Sequence, residues 1–469
     1  MGIFVTPPIS FGERGQDAIK ILTQASKAGH AIQNKYDRDQ ALSNIARIQA
    51  LTGDVKGTQQ TASTIKNQVE RNNALREVVR AQIRANDLKG AVQTASRIPN
   101  AHEVRDQALG EIARAQAKSG DVTGAKKTAA IIQKSRWNTQ TLRAINHDMI
   151  LSKASTGDVT GARQAVSNIP DESGILVSLQ STVAEQVKAK DWTGARQTAN
   201  SIENEYVRAS VLSTFASLLA AAGDIKGARE SAPSVKYPIA RGFALLSIAQ
   251  AEAKAGNIKD ALAAALEIQH HIERNNALLN IVRTQVEAGD LVGAHQTANL
   301  FQDNDEGAKG NNERARGYAL IDITTYQARA GDVTGALETA STIQSEYELK
   351  LLAFLKIVGA QAQSGDIKGA LQTYSKVKWT DFTSAAALRD VAVAQIVTGD
   401  VEGALQTATL IQEGYNRAEA MSEIAEAQVR AGDSKGAITW ANNRRSPLEK
   451  AYALLGVANG LLWQGRTSS

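Results

Sequence analysis

The residues best suited to chemistry in this chain are spread along it without assembling. The six histidines are His30, His102, His147, His270, His271 and His295. No two stand at i, i+4 beside carboxylates, the spacing that presents two imidazoles to one metal ion from a single helix face. His270 and His271 are adjacent, and on a helix adjacent residues point to different sides. The absence of cysteine removes thiolate ligands, disulfides and cysteine nucleophiles. There is no GxSxG elbow and neither glycine-rich phosphate fingerprint. The stretch GDVTGA, at Gly120–Ala125, Gly157–Ala162 and Gly331–Ala336, carries two glycines, but no strand precedes it. The expectation is a non-enzymatic chain with no catalytic residues, cofactor or metal site.

The recurrence of that stretch leads back to the elements around it. Its first glycine recurs as Gly53, Gly120, Gly157, Gly223, Gly256, Gly289, Gly331, Gly365, Gly399 and Gly432, with Asn86 and Lys190 in the same slot. A period of 33–34 residues dominates, which is the mark of a stacked repeat architecture. Before the glycine, apolar residues fall at helical spacing, as in Leu109/Ile112/Ala113, Leu278/Ile281/Val282 and Leu388/Val391/Ala392. The glycine can take the left-handed conformation that ends a helix, and the following aspartate can cap the next one. A small residue then recurs at Ala91, Ala195, Ala228, Ala294, Ala336, Ala370 and Ala404, letting two helices approach closely. The hexapeptide is therefore punctuation between two helices, and hairpins that cannot bury their faces alone must stack. Aromatic residues make up 4% of the chain, in keeping with helices packed through small side chains, and no stretch reaches the length and apolarity of a membrane span.

These features resemble the tetratricopeptide repeat: a period near 34, "GD" between two helices, a small residue seven before the glycine and alanine five after it. The resemblance covers roughly residues 34–445. It implies an all-α fold, a right-handed α-solenoid (superhelix) of about twelve antiparallel helix-turn-helix repeats of 33–34 residues with terminal helices. The divisions expected are an N-terminal segment and helix at 1–33, the array at 34–446, and a C-terminal capping helix and tail at 447–469. The chain departs from the family where an aromatic usually stands four before the glycine, a position mostly held by glutamine here (Gln49, Gln82, Gln116, Gln186, Gln285, Gln327, Gln361, Gln395, Gln428). A superhelical pitch unlike the family norm is expected. A polar loop is expected at 301–317, where one spacing lengthens to 42 residues.

Two ladders read as structural. The glutamines lie on the packing stripe and should be hydrogen-bonded within or between hairpins. A cation four residues before the stripe's leucine (Arg38, Arg71, Arg105, Arg208, Arg241, Arg274, Arg316, Lys350, Arg417, Lys450) follows the carboxyl end of the preceding helix, where positive charge is favoured.

Recognition in a solenoid belongs to positions that vary. In the resembling family the first helices line the concave groove. The stripe beside the packing stripe there includes Arg47, Arg80 and Arg114 at one offset, with Asn73 and Arg76 nearby, and further on Leu246, Leu279 and Leu355. Residues 1–156 hold 23 Lys+Arg against 13 Asp+Glu, whereas the remainder holds 30 against 35. A basic groove near the N-terminal end and an apolar middle lead to a protein–protein interaction scaffold or adaptor that takes a peptide or partner helix. The partner would be acidic where it meets the arginines. The alternative is single-stranded RNA or other nucleic acid along the basic groove, disfavoured by the apolar middle and the scarcity of aromatics beside the arginines. Self-association through the terminal faces, near Leu461, Leu462 and Trp463, is also open. The expected location is cytoplasmic.

Overall fold

The structure is a computed structural model describing residues 12–99, 103–119, 121–132, 141, 172–301, 309–344 and 347–467. Among these residues every regular element is helical, and the architecture is an all-α repeat solenoid. The turns at Gly120 and Gly157, His102, His147 and residues 302–308 lie outside the described residues.

Each repeat is a long helix, a tight turn and a short helix. In one repeat the long helix Asp381–Val397 is followed by Gly399, whose φ of 87° would strain any residue with a Cβ by about 1 kcal/mol or more. The Gly399 N–H donates to the Ile396 carbonyl (3.1 Å) and the Asp400 N–H to the Gln395 carbonyl (2.8 Å). This pair of bonds satisfies carbonyls that the helix end would otherwise leave bare. Asn86 and Lys190 hold the same left-handed slot, each at φ 59°.

Asp400 then caps the short helix Val401–Thr409, accepting the Gly403 N–H at 2.8 Å. The carboxylate folds so closely over Gly403 that a Cβ there would sit 2.0 Å from its Oδ2. That contact accounts for the second glycine of the hexapeptide. Asp87, Asp191, Asp290 and Asp433 cap in the same way, each bonded to the glycine three residues on. Where Asp260 replaces that glycine, the cap residue Asn257 makes no side-chain capping bond.

The glutamine locks this turn to both helices. Gln395 donates from Nε2 to Asp400 Oδ2 (2.9 Å) and accepts at Oε1 from the Thr407 hydroxyl (2.7 Å). Gln285 repeats both bonds with Asp290 and Thr297, and Gln49, Gln186 and Gln327 repeat the threonine bond with Thr61, Thr198 and Thr339. These glutamines are buried, where an unmet amide costs about 1–3 kcal/mol. These glutamines are hydrogen-bonded within their hairpins, as expected, whereas Gln82 and Gln428 keep only the bond to the capping aspartate.

Around the Gln395 latch, Leu388, Val391 and Ala392 of the long helix and Ala404 and Ala408 of the short one are all buried, and Ala392 shares one cluster with the two alanines. Within each unit long helices pack on neighbouring long helices, and a short helix such as Ile258–Glu267 lies against its own long helix and the next. Three cations of the ladder close the ends of short helices. Arg208 donates to the Ile202 carbonyl (2.8 Å), Lys350 to the last residue of Val333–Ser341 (3.1 Å) and Lys450 to the last residue of Ser434–Asn442 (2.9 Å).

The chain forms two compact units, one drawn from Met1–Ile145 and Ala362–Ser469, the other from Asn146–Gln361. In the first unit the two ends of the sequence meet. Helix Gly12–His30 packs on Pro447–Thr467, occupying the place a short helix takes beside the other long helices, and Pro447–Thr467 also packs on Lys35–Leu51. Ile21 and Leu22 share one buried cluster with Leu454, Leu461 and Leu462, so Leu461 and Leu462 are covered within the chain. Asn44 donates to the Tyr452 hydroxyl across the seam at 2.9 Å. Gly456 permits the close approach of the neighbouring helix Tyr415–Arg430, since a Cβ on it would strike the Ser422 carbonyl.

One expectation is corrected. Residues 309–317, read as part of a polar loop, are helical and lengthen Lys309–Arg329 to 21 residues. Ala315 and Asn312 are buried and Asn312 accepts from Asn275 (2.8 Å), so tertiary contacts hold an otherwise polar extension in helix.

Because the cap and its glycine form one contact, their substitutions should not add. Gly403→Ala is expected to cost about 1–2 kcal/mol, and clearly less in an Asp400→Ala background, where no carboxylate remains to be displaced. Urea unfolding midpoints of the four chains of this cycle measure the coupling.

Candidate partner-binding surface

The arginines of the basic stripe divide into two groups. Arg76, on helix Gln68–Arg84, donates from Nε to Glu111 Oε1 (2.9 Å) and from Nη1 to Gln107 Oε1 (2.6 Å), reaching the next long helix, Glu103–Lys118. Arg80 holds the same carboxylate from Nε (3.0 Å) and Nη2 (2.9 Å) and also bonds Glu77 (2.7 Å). Arg84 donates to the Ala50 carbonyl (2.7 Å). These cations tie repeat to repeat, and their positive charge is largely answered inside the array. Arg47, Arg114 and Asn73 are exposed.

Charge pairing outweighs burial at the centre of this network. Burial alone would push the Glu111 carboxyl up, but the bonds from Arg80 and Arg76 hold it below the usual carboxylate range. The Glu111 bonds likewise raise Arg80.

In the unit drawn from Asn146–Gln361 the same face of the long helices is apolar. Ile239, Phe243 and Leu246 follow one another at i, i+4, i+7 along Pro238–Lys254, and Ile272 and Leu279 run parallel on His271–Glu287. Leu246 and Leu279 are half-buried against the core, while Ile239 (53%), Phe243 (50%) and Ile272 (48%) are largely open to solvent. Leu355 is half-buried as well. Beside this stripe, a cleft of about 490 Å³ crosses helices Glu172–Lys188, Glu205–Ala221 and Pro238–Lys254, walled by Leu176, Tyr206, Tyr237, Ile239 and Phe243. Gln180, Ser210, Ser213, Thr214 and Ser217 supply its polar groups, and no charged side chain lines it. The Tyr206 and Tyr237 rings meet edge to face, 5.8 Å apart at 89°.

Leu246 and Leu279 lie on the stripe expected from the sequence, whereas the aromatic and aliphatic residues at the helix starts lie outside it. A signal existed. Seventeen residues before the glycine slot stand Tyr36, Val69, Tyr206, Ile239, Ile272 and Phe382, all exposed. The shared offset makes these exposed residues legible in the sequence.

The adjacent histidines also differ from expectation. His270 is the N-cap of His271–Glu287, with extended backbone, so its ring lies beside that of His271 (centroids 5.0 Å, 24° apart) instead of on another helix side. His270 also contacts the buried Glu273, and His271 bonds Asn311 (3.3 Å). Burial and the nearby Arg316 lower the His295 pKa. Among the described residues, no group of three or more histidines and carboxylates is arranged to hold a metal ion, and no helix is long and apolar enough to cross a membrane.

No family model matches the chain, and no curated protein matches it. Among solved structures, it is similar to Ton1535 from Thermococcus onnurineus NA1 at 17% identity and a TM-score of 0.23, covering 74% of this chain and 98% of that one. A circular tandem repeat protein with novel repeat topology and enhanced subunit contact surfaces is similar at 13% identity and a TM-score of 0.16, covering 97% and 98%.

The Glu111 network has a pH signature. A carboxylate whose pKa is lowered by folding adds stability that is present above its unfolded pKa, about 4.3, and is lost as pH falls through the folded value. The native chain should therefore melt above Glu111→Gln at pH 7, with the gap shrinking below about pH 4. Paired thermal melts across that range check it.

Proposed function

We propose that this chain is a non-enzymatic protein–protein interaction scaffold or adaptor. In this reading a tetratricopeptide-like array receives a peptide or partner helix on the exposed face of its long helices. One observation carries the reading: Ile239, Phe243, Leu246, Ile272 and Leu279 form a partly exposed apolar surface across two neighbouring long helices. A folded chain gains nothing from leaving such side chains in water, and burying each against a partner returns about 1.5–3 kcal/mol for a fully covered residue. Rows on adjacent parallel elements suit a ligand that inserts several side chains at once, and a few such anchors carry most of the binding energy.

Nucleic-acid binding along the basic stripe is the less favoured alternative. Arg76 and Arg80 spend their donors on Glu111, Gln107 and Glu77, which leaves less positive charge for phosphates. Arg47 and Arg114 are the exposed residues on which an acidic partner segment would draw.

Capture from native lysate compares the native chain with Phe243→Asp/Ile272→Asp and with Arg47→Glu/Arg114→Glu. All four sites are exposed, so folding should survive, as circular dichroism would verify. The expected result is a discrete protein lost by roughly 10-fold or more in the aspartate pair and retained through about 0.5 M salt. Nuclease-sensitive nucleic acid, lost in the glutamate pair and released by salt, would overturn the scaffold reading in favour of the alternative.

A further inference from the structure

The cleft beside the apolar stripe differs from it in shape and chemistry, and so in what it can hold. It runs across three successive long helices, so its occupant passes from one repeat to the next instead of lying along a single helix. Neighbouring packed helices stand about 8–10 Å apart. A polyproline II segment advances about 3.1 Å per residue with three residues per turn, or about 9.3 Å per turn. Such a segment returns the same face to the surface once per repeat, which an α-helix laid across the array does not.

The lining fits a backbone of that kind. Polyproline II leaves its carbonyls without internal hydrogen bonds, and prolines bring no donors of their own, so the surface must donate. The floor hydroxyls are largely occupied. Thr214 accepts from Gln180 (2.9 Å) and donates to the Ser210 carbonyl (3.0 Å), and Ser213 donates to the Ala240 carbonyl (2.6 Å). The Tyr206 and Tyr237 phenols have no hydrogen-bond partner among the described residues, and both rings line the cleft. Their edge-to-face contact holds the two aromatic walls in place before any ligand arrives. With no charge in the lining, an occupant bearing charged side chains would lose hydration without gaining a partner.

We infer that this cleft binds an uncharged, proline-rich segment of a partner protein in the polyproline II conformation, with Tyr206 and Tyr237 as its walls and donors. The inference rests on the scaffold reading and names the partner's chemistry at one place on that surface. It is tested by fluorescence anisotropy of the full chain with dye-labelled decaproline, using a Gly-Ser decamer as control. Saturable binding of decaproline is expected, with little change between about 0.05 and 0.5 M salt. It should weaken by roughly 10-fold or more in Tyr206→Ala/Tyr237→Ala. Tyr206→Phe/Tyr237→Phe, which keeps the walls and removes the donors, should weaken it less. Matching thermal melts would exclude unfolding of the variants. Decaproline binding no better than Gly-Ser, or equally well to the alanine pair, overturns the inference. If decaproline fails while capture of a protein still depends on Phe243 and Ile272, the polyproline assignment falls and the scaffold reading stands.

Discussion

A buried hydrogen-bonded latch, recurring at many of the described helix turns, is the constraint on which the array rests. Gln395 shows its logic. The backbone carbonyl of this residue closes the long helix by accepting from Asp400, and its side chain binds both the Asp400 carboxylate and the Thr407 hydroxyl. One residue thus fixes where the first helix ends, how the second begins and how the two lie together. The carboxylate can serve only because residue 403 lacks a Cβ. Repeated along the chain with alanine at the hairpin contact, this unit gives neighbouring repeats one geometry, and the long helices can pack in series.

Fixing the hairpin internally frees the face of the long helix beside the packing stripe. The array spends that freedom differently along its length. Around Arg76, Arg80 and Glu111 the face is used to join repeats by charge pairing, while around Phe243 and Ile272 it is left apolar and open. The ends are handled by another device. Helix Gly12–His30 packs on Pro447–Thr467, so Leu454, Leu461 and Leu462 are buried inside the chain.

Much of the fold was legible because it depends on local chemistry. The glycine slot, its substitutes Asn86 and Lys190, the capping aspartate and the glutamine ladder each announce themselves by spacing, and each takes the expected place. What could not be read depends on distance in space. Nothing local to Arg76 or Arg80 says that Glu111, one repeat later, will hold them. The helical start of Lys309–Arg329 is a polar sequence held by Asn275 and the burial of Ala315. The apolar residues at the long-helix starts were legible as a recurring offset, but they lie outside the packing and groove stripes, where attention to period alone leads. His270 and His271 were misplaced for a smaller reason: the helix begins between them.

The central claim is that recognition belongs to the apolar face and not to the arginine network. Hydroxyl-radical footprinting of the chain with and without its captured partner tests this most directly, because it reads the solvent access of individual side chains. The account predicts protection at Phe243, Ile239 and Ile272, with little change at Tyr36 and Val69 beside the basic repeats. Protection at Tyr36 and Val69 that leaves Phe243 and Ile272 as reactive as in the free chain would contradict it.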